Sequence, residues 1–112
     1  MILALLFAGL AVAGTVARAV AAARLNAPPF PSGTLLVNVT GSFFLGLLAE
    51  ASPEAVTVLG IAGLGSYTTF STFAYEGVVM AEEGRGVYAV GYVVLTVVAG
   101  VGAAALGISL TT

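Results

Sequence analysis

Apolar positions run along this chain in four long stretches, and the polar positions between them are short and turn-forming. The first stretch, Met1 to Ala23, stops at Arg24-Leu25-Asn26-Ala27-Pro28-Pro29-Phe30-Pro31, where the prolines end a helix, restrict the residues before them and set an interfacial turn. A second helix is expected over residues 33–50, with Ser32 positioned to cap it. Glu50-Ala51-Ser52-Pro53-Glu54 closes that helix and opens a third. The third stretch, 54–82, is interrupted by Gly60, Gly63 and Gly65 and then by a hydroxyl cluster, and Glu82-Glu83-Gly84-Arg85-Gly86 ends it. The fourth spans 87–110. One bilayer crossing takes about 20 apolar residues, so spans over 2–24, 33–50, 54–82 and 87–110 use nearly all 112 residues and leave no room for a separate soluble domain. The pattern predicts one all-α membrane domain of four transmembrane helices over 1–112.

Composition sharpens this picture. Hydrophobic residues make up 60% of the chain and charged ones 7%, against roughly 25% charge in soluble domains, and the mean hydropathy is +1.15. Cys and His are absent, which removes thiolate and imidazole metal sites, Ser-His and Cys-His dyads and redox motifs. Ion handling then outranks catalysis, and an enzyme is the least supported class. The net charge of −2 points to no nucleic acid and to no strongly charged partner. The first stretch lacks a basic leader and carries Arg18 near its far end, so it reads as a retained span and not as a cleaved signal sequence.

Four helices with tight connections place both termini on one side of the membrane, opposite the proline loop and the Glu82–Gly86 loop. All three arginines lie in or beside those two loops. The positive-inside rule would put them in the cytoplasm, although Arg18 drops out of the count if it points into the bundle.

The densest chemistry lies in Gly63-Leu64-Gly65-Ser66-Tyr67-Thr68-Thr69-Phe70-Ser71-Thr72-Phe73-Ala74-Tyr75-Glu76, where every residue from Ser66 to Thr72 except Phe70 bears a hydroxyl. A break in the helix here would have to face protein or a wet cavity. Its first half would then offer carbonyls to a cation, and its second half N–H groups to an anion. The alternative is a continuous helix whose hydroxyls bond back to preceding carbonyls and whose glycines serve close packing. Phe70 and Phe73 share a face with Glu76. The two rings read either as lipid-facing or core packing, or as edges that meet an anion while excluding water. A carboxylate at mid-membrane costs about 2.5–3.5 kcal/mol on the insertion scale, so Glu76 is either functional or a snorkelling interfacial group.

Thr34, Asn38 and Ser42 recur at one-turn steps and form a polar stripe on the second helix. The Asn38 amide would serve either as a neutral donor replacing part of an anion's hydration or as interhelical glue worth about 0.6 kcal/mol per bond. Tyr88, Tyr92 and Thr96 repeat the pattern on the fourth, with Gly100 continuing the face and Tyr88 also readable as an interface anchor. Arg18 is either a snorkelling cation or a buried partner for a carboxylate such as Glu76. Four short helices enclose little volume, and dimerisation is the natural remedy.

Gly33-Thr34-Leu35-Leu36-Val37-Asn38-Val39-Thr40-Gly41-Ser42-Phe43-Phe44-Leu45-Gly46, together with Gly65 to Glu76, resembles the Fluc (CrcB) fluoride channels. The Gly14-to-Arg18 spacing and the overall layout are similar too. The resemblance implies an integral, multi-pass plasma-membrane protein that passively exports fluoride and confers fluoride resistance. It implies an antiparallel, dual-topology homodimer with two pores, a third helix broken at its centre, and a structural sodium ion at the dimer interface. Carried over by position, it implies pore residues Asn38, Phe70, Ser71, Phe73, Tyr92 and Thr96, with Glu76 beside the pore and Arg18 near its mouth. It assigns the sodium to the backbone carbonyls of Gly65 and Thr68. Gly100 departs from the pattern, since family members often carry a further hydroxyl there.

Two other classes compete. A small-multidrug-resistance-type proton-coupled exporter has the same size but needs an acidic residue in its first helix, and Met1 to Ala17 contains none. A noncatalytic subunit of a larger membrane complex gives no reason for aligned polar stripes on three helices. The arginine asymmetry leaves an inverted paralogue as the alternative to a homodimer.

Overall fold

A computed structural model describes residues 1–28 and 30–112. Pro29 of the expected proline turn lies outside the described residues. Helix α1 covers Ile2–Leu25, where alanine and leucine supply strong helix propensity. It ends at Asn26, whose backbone is extended and whose N–H bonds Ala22 O. A minimal ribbon follows, β1 (Asn26–Ala27) pairing antiparallel with β2 (Phe30–Pro31). It folds the chain back into α2, Ser32–Leu47. Ser32 does not cap α2 with its side chain: Pro31 occupies the cap position, and Asn26 Oδ1 accepts from Thr34 N at 3.1 Å instead. The helix gives way to turns at 48–50.

The third stretch is not one regular element. Ser52 caps a short α3 (Pro53–Ala55) by accepting from Ala55 N. The chain then winds as a π-helix, π1, over Val56–Leu64. A bond from Gly65 N to Gly60 O shows the wider i→i+5 spacing. Branched residues and glycines favour α-winding weakly along this run. One turn of α4 (Gly65–Tyr67) precedes α5 (Phe70–Glu82). Gly84, with φ +79°, makes the reversal that a side chain would oppose, and α6 runs over Gly86–Thr111.

α6 lies along α2, α1 lies against π1 and α4, and α5 packs on α6. Backbones touch where side chains are absent. A Cβ at Gly107 would meet Phe43 O, and one at Gly14 would meet Ser66 Oγ and Gly63 O, as in helices that associate through small residues. The core is small: Tyr92 and Val37 are fully buried, and Met80, Ala89 and Tyr92 pack with Phe30, Leu35 and Phe73. The molecule measures 49 × 30 × 18 Å. Among the described residues, α1 and α6 are each long and apolar enough to cross a membrane. The protein is thus helical, with apolar helices of the membrane type.

Candidate functional site

The helical path stops after Tyr67. Thr68 (φ −85°, ψ 163°) and Thr69 (φ −152°, ψ 122°) are extended before α5 begins at Phe70. Hydroxyls stabilise this interruption locally. Thr68 Oγ1 donates to Leu64 O at 3.0 Å, and Thr69 Oγ1 caps α5 by accepting from Thr72 N at 3.2 Å. Asn38 of α2 completes it by exchanging two bonds with Thr69, as a strand neighbour would. Its Nδ2 donates to Thr69 O at 2.9 Å and its Oδ1 accepts from Thr69 N at 2.8 Å. In a continuous helix Thr69 N would serve the carbonyl of Gly65, and Thr72 N that of Thr68. Both donors are turned to side chains instead.

Beside the break lies a cavity of about 460 Å³ lined by Asn38, Ser42, Thr69, Phe70, Phe73 and Thr96, among others. Thr96 is 8% exposed, and its Oγ1 has no hydrogen-bond partner among the described residues. Phe70 and Phe73 meet edge-on at 5.9 Å and 61°, and Phe73 stacks at a tilt on Tyr92 at 5.3 Å. Phe70 is 79% exposed. Ser71 also lies on the exposed side, its hydroxyl 3.5 Å from Thr69 Oγ1. Gly100 lines the same cavity, and a Cβ there would stand 3.6 Å from Ser42 Oγ, in ordinary contact.

Next to the rings, Glu76 collects donors from three elements. Tyr92 Oη donates to Oε1 at 3.0 Å, while Thr34 Oγ1 and Asn26 Nδ2 donate to Oε2 at 3.1 and 3.2 Å. The half-buried carboxylate is thus held within the protein and does not snorkel. Arg18 is not its partner. The Arg18 Nε donates to Ser66 O at 3.1 Å, placing the cation at the C-terminal end of α4, where exposed carbonyls favour positive charge. Sequence reasoning missed Asn26, which it treated as loop, and left Thr34 as one member of a stripe. An amide just before a proline turn and facing a helix start was the available signal for Asn26.

The family model described as "CrcB-like protein, Camphor Resistance (CrcB)" matches residues 4–108. The chain belongs to the CrcB-like family. Among curated relatives, the fluoride-specific ion channel FluC of Rhizobium meliloti is 46% identical over 77 residues, covering 62% of this chain and 62% of that protein. Fluoride-specific ion channel FluC 1 of Nitrobacter hamburgensis is 42% identical over 94 residues, covering 78% and 75%. FluC 1 of Nocardia farcinica is 45% identical over 91 residues, covering 80% of this CrcB-like chain and 63% of that relative.

Proposed function

We propose that this protein is a fluoride-selective channel of the plasma membrane that passively exports cytoplasmic fluoride. The observation that carries the reading is the cavity at the helix interruption, where an amide, hydroxyls and two aromatic rings converge and the Thr96 hydroxyl is buried without a partner among the described residues. Fluoride is small and strongly hydrated, so a selective path must offer many donors while staying too narrow for larger anions. The Asn38 amide has two hydrogens, and Thr69 O takes one. The other, with the Thr96 hydroxyl, supplies neutral donors. Ring edges of Phe70 and Phe73 present positive quadrupole to the anion. Tyr92 ties this path to Glu76, and Arg18 attracts anions toward the α4 end. Fluoride enters acidified cells as neutral HF and dissociates in the more alkaline cytoplasm. An inside-negative potential then favours anion exit by about 2.3 kcal/mol per 100 mV, without ATP or a coupled proton.

The assembly we propose is an antiparallel homodimer in lipid, an inverted paralogue being the alternative. One chain is 18 Å thick in its thinnest direction and leaves Phe70 uncovered, which a second copy would remedy. The carbonyls of Gly65 and Thr68, relieved of their helical donors, are hard oxygen ligands of the kind that suits a sodium ion. Two such carbonyls from each chain would hold it at the interface, where bound charge would tie the two interruptions together.

Purified protein in liposomes loaded with fluoride tests the function. Efflux followed by a fluoride electrode is expected to be fast, absent for chloride, and lost in Phe70→Ile. A well-folded dimer that releases no fluoride, alone or with an inverted relative, would overturn the proposal.

A further inference from the structure

The side chain of Asn26 does two jobs whose directions are fixed by chemistry. The N–H of Thr34 can only donate, so the Asn26 oxygen must face it, at 3.1 Å. The amide nitrogen is thereby turned toward the other side. There it donates to Thr34 Oγ1 at 3.2 Å and to Glu76 Oε2 at 3.2 Å. Thr34 Oγ1 donates in turn to the same Oε2 at 3.1 Å, closing a three-membered ring of Asn26, Thr34 and Glu76. Tyr92 holds only the other oxygen, Oε1. Without the amide, Oε2 would depend on one rotatable hydroxyl, and the carboxylate plane would be free to turn about Oε1. Asn26 itself cannot drift, because the β1–β2 ribbon and the bond of its oxygen to the start of α2 fix it. The same residues line a second cavity, about 250 Å³, that brings Asn26 and Glu76 together with Phe30, Tyr75 and Arg85 at the ribbon end of the bundle.

We infer that Asn26 is a positioning residue for Glu76: it sets the orientation of the carboxylate that Tyr92 presents beside the phenylalanine cavity, and so the rate at which an anion passes that point. The consequence for flux rests on the fluoride reading; the consequence for the carboxylate does not. Asn26→Asp separates the two jobs. It keeps an oxygen for Thr34 N, and hence the start of α2, but replaces the donor facing Glu76 with an acceptor. Asn26→Ala removes both.

The test compares wild type, Asn26→Asp and Asn26→Ala in three readouts: thermal unfolding in detergent, fluoride efflux from liposomes, and the infrared carboxyl bands of Glu76, isolated by difference against Glu76→Gln. Asn26→Asp strips Oε2 of a donor and sets a like charge beside it, so it is expected to unfold below the wild-type temperature, with efflux down roughly tenfold, the size of one charge-assisted hydrogen bond, and with its Glu76 bands moved, whereas a helix cap alone would leave all three near wild type. Asn26→Ala is expected to lose stability as well. Unmoved Glu76 bands in both variants, or wild-type efflux in Asn26→Asp, would overturn the inference and leave Asn26 as a helix cap only. If the wild type carries no fluoride, the channel reading fails and the infrared bands decide the role of Asn26 alone.

Discussion

Replacing Asn38 by alanine tests how the interruption between α4 and α5 is held. Asn38 makes both bonds of Thr69's backbone, donating to its carbonyl at 2.9 Å and accepting from its N–H at 2.8 Å. Alanine leaves one half-buried donor and one half-buried acceptor unpaired, at no more than about 1–3 kcal/mol each, the cost for fully buried groups. The full loss is then roughly 2–6 kcal/mol, and because the adjoining 460 Å³ cavity has room for water, about 2 kcal/mol is expected. That is a large share of a typical domain stability of about 5–15 kcal/mol. Unfolding in detergent should register it. Amide exchange should report its location: Thr69 N–H is expected to lose protection while amides in the middle of α6 keep theirs. A stability loss below about 0.5 kcal/mol, the size of an ordinary surface change, or an unaltered Thr69 amide, would refute the view that Asn38 holds the interruption.

Other perturbations separate structure from function. Gly14→Ala drives a Cβ into Ser66 Oγ and Gly63 O; a loss of about 1–3 kcal/mol is expected in the same unfolding measurement. Thr96→Val removes a buried hydroxyl that has no partner among the described residues, so unfolding should show equal or higher stability, by up to about 1–3 kcal/mol, while fluoride efflux falls. Tyr92→Phe strips Glu76 Oε1 of its donor and is expected to cost about 1.5–3 kcal/mol as well as flux. Replacing sodium with a large organic cation on both sides of the liposome should slow efflux if the Gly65 and Thr68 carbonyls hold that ion, and restoring sodium should recover it.

Much of the site could be read before the fold was known, because polar groups in so apolar a chain must find partners or ligands. The hydroxyl run from Ser66 to Thr72 falls where α4 ends and α5 begins. The Thr34, Asn38 and Ser42 stripe faces the residues it serves: Thr34 meets Glu76, Asn38 meets Thr69, and Ser42 lines the cavity. What escaped the sequence depends on distance along the chain. Asn26 meets Glu76 across 50 positions and Arg18 meets Ser66 across 48, and no local pattern encodes either meeting. Ser32 had the right identity for a cap, yet the ribbon brings Asn26 to the same job. The π-winding of Val56–Leu64 was equally hidden, since a run whose one polar side chain is Thr57 has no polar face to betray whether its repeat is α or π.

The most direct test of a passive fluoride path is the reversal potential of purified protein in a planar bilayer. Under a fluoride gradient with equal chloride on both sides, it should shift by about 59 mV for each tenfold gradient, and a chloride gradient should leave it unmoved. A potential that follows chloride, or that stays at zero under the fluoride gradient, would contradict the account.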